Sequence, residues 1–281
     1  MTGGGVTAGG PARAVRVAVP ALEAELAADA LWQAGAAAIE ERPGELVAAA
    51  DGADPAPLLA AVAGRWPVAV EVVDLDAALD AWREHAHPVV VGRRLVVHPP
   101  WAPPEAGVAG RRPVVIDPGR AFGHGAHPST RLVLAALDDL VRGGERVLDL
   151  GCGSGVLAVA ALVLGAATAV GVDVDPAALA AAVDNGRRNG VADRLTVVEG
   201  ATGTAAPAAG YDLVVANLLL PDLVELAPTV WRSLAAGGTA VVSGVLDAQR
   251  DRLVAAYRDV GLAPLGSAGE DGWLALTLRA G

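Results

Sequence analysis

The sequence predicts an α/β protein: a doubly wound, mostly parallel sheet of Rossmann-like type, preceded by a smaller α+β domain of ferredoxin-like order. Three observations predict it. From residue 146 onward, strand-length apolar runs alternate with helical ones, the pattern of a parallel sheet covered on both faces. The first of these runs, Val147–Leu150, leads straight into the glycine-rich turn Gly151-Cys152-Gly153-Ser154-Gly155. About twenty residues later a second apolar run, Val170–Val172, ends in the carboxylate Asp173, the spacing that holds a nucleoside across two neighbouring strands.

Residues 1–12 are glycine-rich, lack the basic and apolar regions of a signal peptide, and are expected to be a disordered tail. Residues 13–75 read β-α-β-β-α-β, the ferredoxin-like order. Val15–Val19 alternates like a strand, and Leu22 to Gly35 has helical apolar spacing closed by a glycine. Ala37–Glu41 and Leu46–Ala50 are short strands, Pro55–Trp66 a second helix, and Val68–Val73 the closing strand. No cluster of catalytic residue types falls here, which points to recognition.

Residues 76–100 are expected to link the domains, through a helix at Ala77–Ala86 and a strand at Val89–His98. The second domain spans 101–281. Pro99-Pro100-Trp101-Ala102-Pro103-Pro104 is a rigid loop. A small-residue loop from Gly123 leads to Ser129-Thr130, expected to cap a helix running through Val141. The rest reads strand 146–150, helix 155–164, strand 168–173, helix 176–189, strands 195–199 and 211–217, helix 222–235, strand 239–244, helix 247–260 and strand 273–278. The last is expected to insert antiparallel at the sheet edge.

Composition narrows the chemistry. The 281 residues have room for two domains and a large core. That core rests on Ala, Val and Leu, since 53% of residues are hydrophobic and only 3% aromatic. One cysteine excludes a disulfide framework and a multi-cysteine metal site, and fits a reducing compartment. The formal net charge of −11 argues against phosphate-directed nucleic-acid binding and suits a basic protein partner. All 21 basic residues are arginine, which removes P-loop, Schiff-base and kinase lysines. The uncharged run Val156 to Val172 is too short for a membrane span and is split by Gly165. A cytoplasmic, monomeric protein is expected.

The turn Gly151-x-Gly153-x-Gly155 lets backbone approach a ligand closely, and Asp149 is expected to place an acid at its mouth. An acidic mouth suits a cationic, phosphate-free ligand better than a pyrophosphate. S-adenosyl-L-methionine (AdoMet), with sulfonium and α-ammonium groups, fits. Asp173 would accept hydrogen bonds from the ribose hydroxyls. A nicotinamide dinucleotide would use Asp173 as well, but G-x-G-x-x-G lacks its third glycine here. Asp175, followed by Pro176, is expected to cap the next helix.

Tyr211–Asn217 ends in an amide at the carboxyl edge of the sheet, where open α/β sheets bind ligands. Asn217 either orients an amine nucleophile without titrating or forms a turn. The following Leu-Leu-Leu-Pro supplies no aromatic clamp for a flipped base. His124 and His127 lack a carboxylate or cysteine at ligand spacing, so no metal is expected. Cys152 reads as a small buried side chain.

These residues resemble one family. Ala121–Thr130, Asp149–Gly155, Val172–Pro176 and Ala216-Asn217-Leu218-Leu219 are similar to the ribosomal protein L-eleven methyltransferases (PrmA), as is Ala81–Pro88 with Val91-Gly92 and Pro100-Trp101. The match is dense from Ala81 onward, and before it only the element order agrees. The Phe-Gly-x-Gly-x-His-Pro-x-Thr segment is its most specific part. The resemblance implies AdoMet-dependent methylation of lysine or other amino groups on a ribosomal protein docked by the N-terminal domain. By position it implies AdoMet contacts at Thr130, Gly151, Asp173 and Asn217, with Phe122 and Gly123 nearby. His124, Ala126 and Ser129 stand where the family usually has Thr. A lysine of another protein, or a small-molecule amine, is the alternative substrate.

Overall fold

The computed structural model describes residues 12–20, 23–34, 36–50, 54–73, 86–104, 108, 110–118, 125–205 and 210–280. The chain divides into two compact units, Met1–His85 and Ala86–Gly281. The expected tail up to residue 11, almost all of the expected linking helix, and Phe122, Gly123 and His124 lie outside the described residues.

In the first unit, strands β1 (Ala12–Ala18), β2 (Ala36–Arg42), β3 (Glu45–Ala50) and β4 (Val68–Val73) form an antiparallel sheet of order β2-β3-β1-β4. Helices α1 (Ala24–Gln33) and α2 (Ala56–Val62) complete the ferredoxin-like order. Alternation explains the packing: Val15 and Val17 of β1 are buried with Leu46 and Ala48 of β3, Leu31 of α1 and Leu58 of α2, whereas Arg16 points out. Trp66 seals one end, its indole N–H donating to Glu23 at 2.9 Å.

In the second unit, Val89–His98 is not one strand but a hairpin, β5 (Val89–Val91) and β6 (Leu95–His98). Gly92 turns with φ +55°, and the buried Asp138 carboxylate accepts from the Arg93 N–H and the Arg94 guanidinium, both at 2.8 Å. A Cβ at residue 92 would lie 2.6 Å from that carboxylate. Strand β7 (Arg112–Val115), which apolar patterning does not reveal, pairs parallel with β6.

The large sheet has the order β10-β9-β8-β11-β12-β14-β13. Its parallel part comprises β8 (Arg146–Leu150), β9 (Thr168–Asp173), β10 (Leu195–Glu199), β11 (Tyr211–Asn217) and β12 (Leu234–Leu246). Strand β14 (Trp273–Ala280) runs antiparallel between β12 and β13 (Leu262–Glu270). The expected edge strand is therefore one place in from the edge, and β13 takes the rim. Pro264, Gly266 and Gly269 hide β13 from a strand reading; an edge tolerates them, with a bulge at Pro264/Gly266.

Helices α3 (Pro128–Leu140) and α4 (Val156–Leu164) share one core with Val147, Leu213 and Val215. Helix α7 (Leu220–Ser233) and helix α8 (Arg250–Asp259) pack with Leu148, Leu150, Val214 and Ala216 in the other. The period-two alternation of β8 and β11 thus feeds two layers, as a doubly wound sheet requires. Helix α5 (Pro176–Arg188) follows β9, and the one-turn helix α6 (Thr202–Ala205) follows β10. The uncharged run after Gly155 is α4, ended by Gly165, then β9; among the described residues no helix is long and apolar enough to cross a membrane.

Candidate functional site

The turn after β8 is built of backbone that favours glycine. Gly151, Gly153 and Gly155 have φ of +72°, +52° and +77°. A Cβ on Gly151 would lie 2.5 Å from the Leu218 side chain, and one on Gly155 2.9 Å from Ala182 on α5. The turn hangs from the end of β9, where the Val172 carbonyl accepts from Gly151 and Cys152 at 2.8 and 3.0 Å. Cys152 is buried as expected, and burial pushes its thiol well above the usual range.

Asp173 ends β9 facing the same turn. Its Oδ2 accepts from the Gly153 N–H at 2.8 Å and its Oδ1 from the Asp175 N–H at 3.1 Å. Each oxygen keeps a second lone pair for a ligand hydroxyl. Asp175 caps α5 as expected, accepting from Ala177 at 2.8 Å with Pro176 in the first turn. Between the two acids Val174 is 64% exposed, an apolar surface beside Asp173 that sequence reasoning passed over.

Asp149 is not at the mouth of the turn: it is 0% exposed. It lies on the same face of β8 as Val147, under α4, and its Oδ2 accepts from the Ala158 N–H in that helix's first turn at 3.1 Å. Its Oδ1 has no partner among the described residues. Burial pushes its carboxyl up to about 7 against the opposing bond from Ala158, and the Asp173 charge adds to the rise.

Asn217 ends β11 on the α3 side of the sheet. Its Nδ2 donates to the Thr130 Oγ1 at 3.1 Å, joining two expected site residues that are far apart in sequence. Leu218, next to Asn217, is the residue against which Gly151 packs, so the end of β11 passes beside the glycine turn. A Cβ at Gly244 of β12 would lie 2.3 Å from the Leu218 carbonyl, so the chain crossing here is as tight as backbone allows.

The cap of α3 differs from expectation. His127, not Ser129 or Thr130, is the N-cap, accepting from the Ser129 N–H at 3.3 Å, and Pro128 occupies the first turn. Proline in that turn loses nothing, because its N–H would be unpaired there. Ser129 and Thr130 are instead buried within the helix. Trp273 packs edge-on to His127 with ring centroids 4.7 Å apart, and Arg131 pairs with Glu270. The β13–β14 hairpin thereby grips the start of α3. Among the described residues no cluster of three or more His, Cys, Asp or Glu is placed to hold a metal.

The arrangement offers bare backbone, one carboxylate on a strand end, and a fixed amide. It can bind a hydroxyl-bearing nucleoside and orient an amine, and Asn217 cannot take a proton.

Residues 45–281 match the family described as "Ribosomal protein L11 methyltransferase (PrmA)". Relatives named ribosomal protein L11 methyltransferase include one from Chromohalobacter salexigens, 45% identical over 199 residues, covering 71% of this chain and 65% of the relative. One from Symbiobacterium thermophilum is 43% identical over 202 residues, 70% of this chain and 63% of the relative. The chain thus spans somewhat under two thirds of the length of these curated relatives. A solved structure titled ribosomal protein L11 methylase, from Lactobacillus delbrueckii subsp. bulgaricus, superposes with a TM-score of 0.63 at 24% identity, covering 69% of this chain and 98% of that one. That likeness shows the shared fold.

Proposed function

The chain belongs to the ribosomal protein L11 methyltransferase (PrmA) family, and on that premise we propose that it is an AdoMet-dependent protein N-methyltransferase acting on lysine or other amino groups of ribosomal protein L11. The observation that carries this reading is the approach of Gly151 to Leu218. It brings the end of β11, where Asn217 is held by Thr130, beside the turn that would hold the methyl donor.

The residues fit AdoMet. Gly151 and Gly155 let the turn close against Leu218 and Ala182, and Asp173 keeps lone pairs for both ribose hydroxyls. Val174 offers its exposed apolar face to the adenine. Thr130 contributes through Asn217. Gly153, Phe122 and Gly123 complete the proposed contacts, the last two lying outside the described residues.

When bound, AdoMet would supply a methyl group on a positively charged sulfur, to be taken by the amine lone pair with the C–S electron pair left on sulfur. The protein's part is alignment and exclusion of water. Asn217, held by Thr130, presents its Oδ1 to an amine N–H and so aims the nitrogen lone pair. A lysine amine, with an ordinary pKa of about 10.4, must first lose a proton, and transfer into a drier site favours the neutral form.

The N-terminal unit docks the substrate. The acidic surplus supports this, because residues 1–85 set only Arg13, Arg16, Arg42, Arg65 and Arg83 against more than twice as many carboxylates. Such a surface attracts a basic protein. Action in the cytoplasm as a monomer, without nucleic acid or membrane, completes the proposal.

The test is mass spectrometry of L11 incubated with the protein and AdoMet. Added methyl mass on L11 supports the reading. Methylation only of another protein's lysine or of a small amine redirects it.

A further inference from the structure

Helix α5 carries Asn185 and is capped at its C-terminus by Asn189, four residues apart and hence on one face. Asn185 is 0% exposed. Its Nδ2 donates to the Ser154 carbonyl and to the Asp117 carbonyl, both at 2.9 Å, and its Oδ1 accepts from the Asp117 N–H at 2.9 Å. The partners fix which end is nitrogen, since two carbonyls accept and one N–H donates. Asn189 makes a parallel set: its Oδ1 accepts from the Val115 N–H at 2.8 Å, and its Nδ2 donates to the Val115 and Asn185 carbonyls at 2.7 and 2.8 Å. The two amides together act as a strand edge for the backbone that leaves β7.

Only Asn185 also reaches the glycine turn. Ser154 lies between Gly153, whose N–H donates to Asp173, and Gly155, which is pressed against Ala182 of α5. The peptide run 153–155 is thus held at its N–H end by Asp173 and at its carbonyl end by Asn185. With Asn185 removed, the Ser154 carbonyl loses this hydrogen bond and the turn gains freedom to rotate. Rotation takes the Gly153 N–H off Asp173 and frees the carboxylate that would meet the ribose.

We propose that Asn185 is a positioning residue for the cofactor turn, locking the Ser154 carbonyl so that Asp173 and the glycine backbone are presented together to the nucleoside. The inference deepens the AdoMet reading and rests on it. Asn189 is the matched comparison, because its side chain also makes three hydrogen bonds, two to the backbone of Val115 and one to the Asn185 carbonyl, but none to the turn.

The experiment is calorimetric titration of AdoMet into the full-length wild-type, Asn185→Ala and Asn189→Ala proteins, with thermal melts alongside. The expected result is a Kd raised about tenfold or more for Asn185→Ala and changed less than about twofold for Asn189→Ala, while both melt earlier. A wild-type Kd in Asn185→Ala overturns the role, as does an equal loss in both variants. Should Asn185→Ala fail to fold, Asn185→Ser takes its place with the same two outcomes. Absence of binding by the wild-type protein overturns the AdoMet reading itself, a result distinct from a selective failure of the Asn185 role.

Discussion

The amide nitrogen of Asn217 lies 3.1 Å from the hydroxyl oxygen of Thr130, so the end of β11 and the first turn of α3 share one hydrogen bond at the carboxyl edge of the sheet. The bond directs the amide nitrogen toward Thr130, and the proposal gives the oxygen to the amine. Asn217→Ala therefore is expected to lower kcat for methyl transfer by about tenfold or more, with a smaller change in AdoMet affinity. Single-turnover kinetics beside calorimetry checks this. Thr130→Val, which keeps shape but removes the hydroxyl, is expected to reproduce part of the loss; unchanged kcat in both variants would remove Asn217 from the mechanism.

Asp173→Ala is expected to weaken AdoMet by about 1.5–3 kcal/mol, the cost of losing hydrogen bonds to a charged group. Calorimetry reads it directly. An unchanged affinity would move the ribose away from this carboxylate.

Gly151→Ala places a Cβ 2.5 Å from Leu218 at a φ of +72°. Backbone strain of about 1–3 kcal/mol is expected, together with loss of AdoMet binding. Denaturant melts and titration measure the two effects, and a variant as stable as the wild type would show that the turn relaxes freely.

Asp149→Asn tests the buried carboxyl. Burial raises it from an ordinary 3.8 to about 7, so the folded protein keeps a proton that the unfolded chain gives up. Ionisation then favours unfolding, and the wild type loses stability as pH rises from about 4 through about 7. The Asn variant, which can still accept from Ala158, lacks this loss. Without ligand it is expected to be more stable than the wild type at about pH 8, by up to a few kcal/mol, with the gap shrinking by about pH 5. Chemical denaturation at the two pH values decides; a gap independent of pH would contradict the buried ionisation.

Local chemistry was the legible part of the sequence. The glycine turn, the Asp175 cap with Pro176 behind it, and the alternation in β8 and β11 each depend on neighbours within a few residues. What was hidden depends on distant partners. Asn185 and Asn189 stand out as a spacing of four at the end of α5, but their bonds go to Val115, at the end of β7, and to Asp117 just beyond it. The hairpin at Gly92 is turned by Asp138 on α3, which nothing near Val89–His98 announces. Asp149 reads as an acid beside a ligand until α4 is seen to cover its face of β8. Strand β13 escaped notice because an edge accepts proline and glycine that a central strand would not.

The pairing of the glycine turn with Asp173 is most directly tested by a crystal structure of the protein with AdoMet. The account predicts the ribose hydroxyls hydrogen-bonded to Asp173, and the methionine portion over Gly151 with its methyl directed toward Asn217. A nicotinamide dinucleotide displacing AdoMet from this turn, or AdoMet seated elsewhere on the protein, would contradict it.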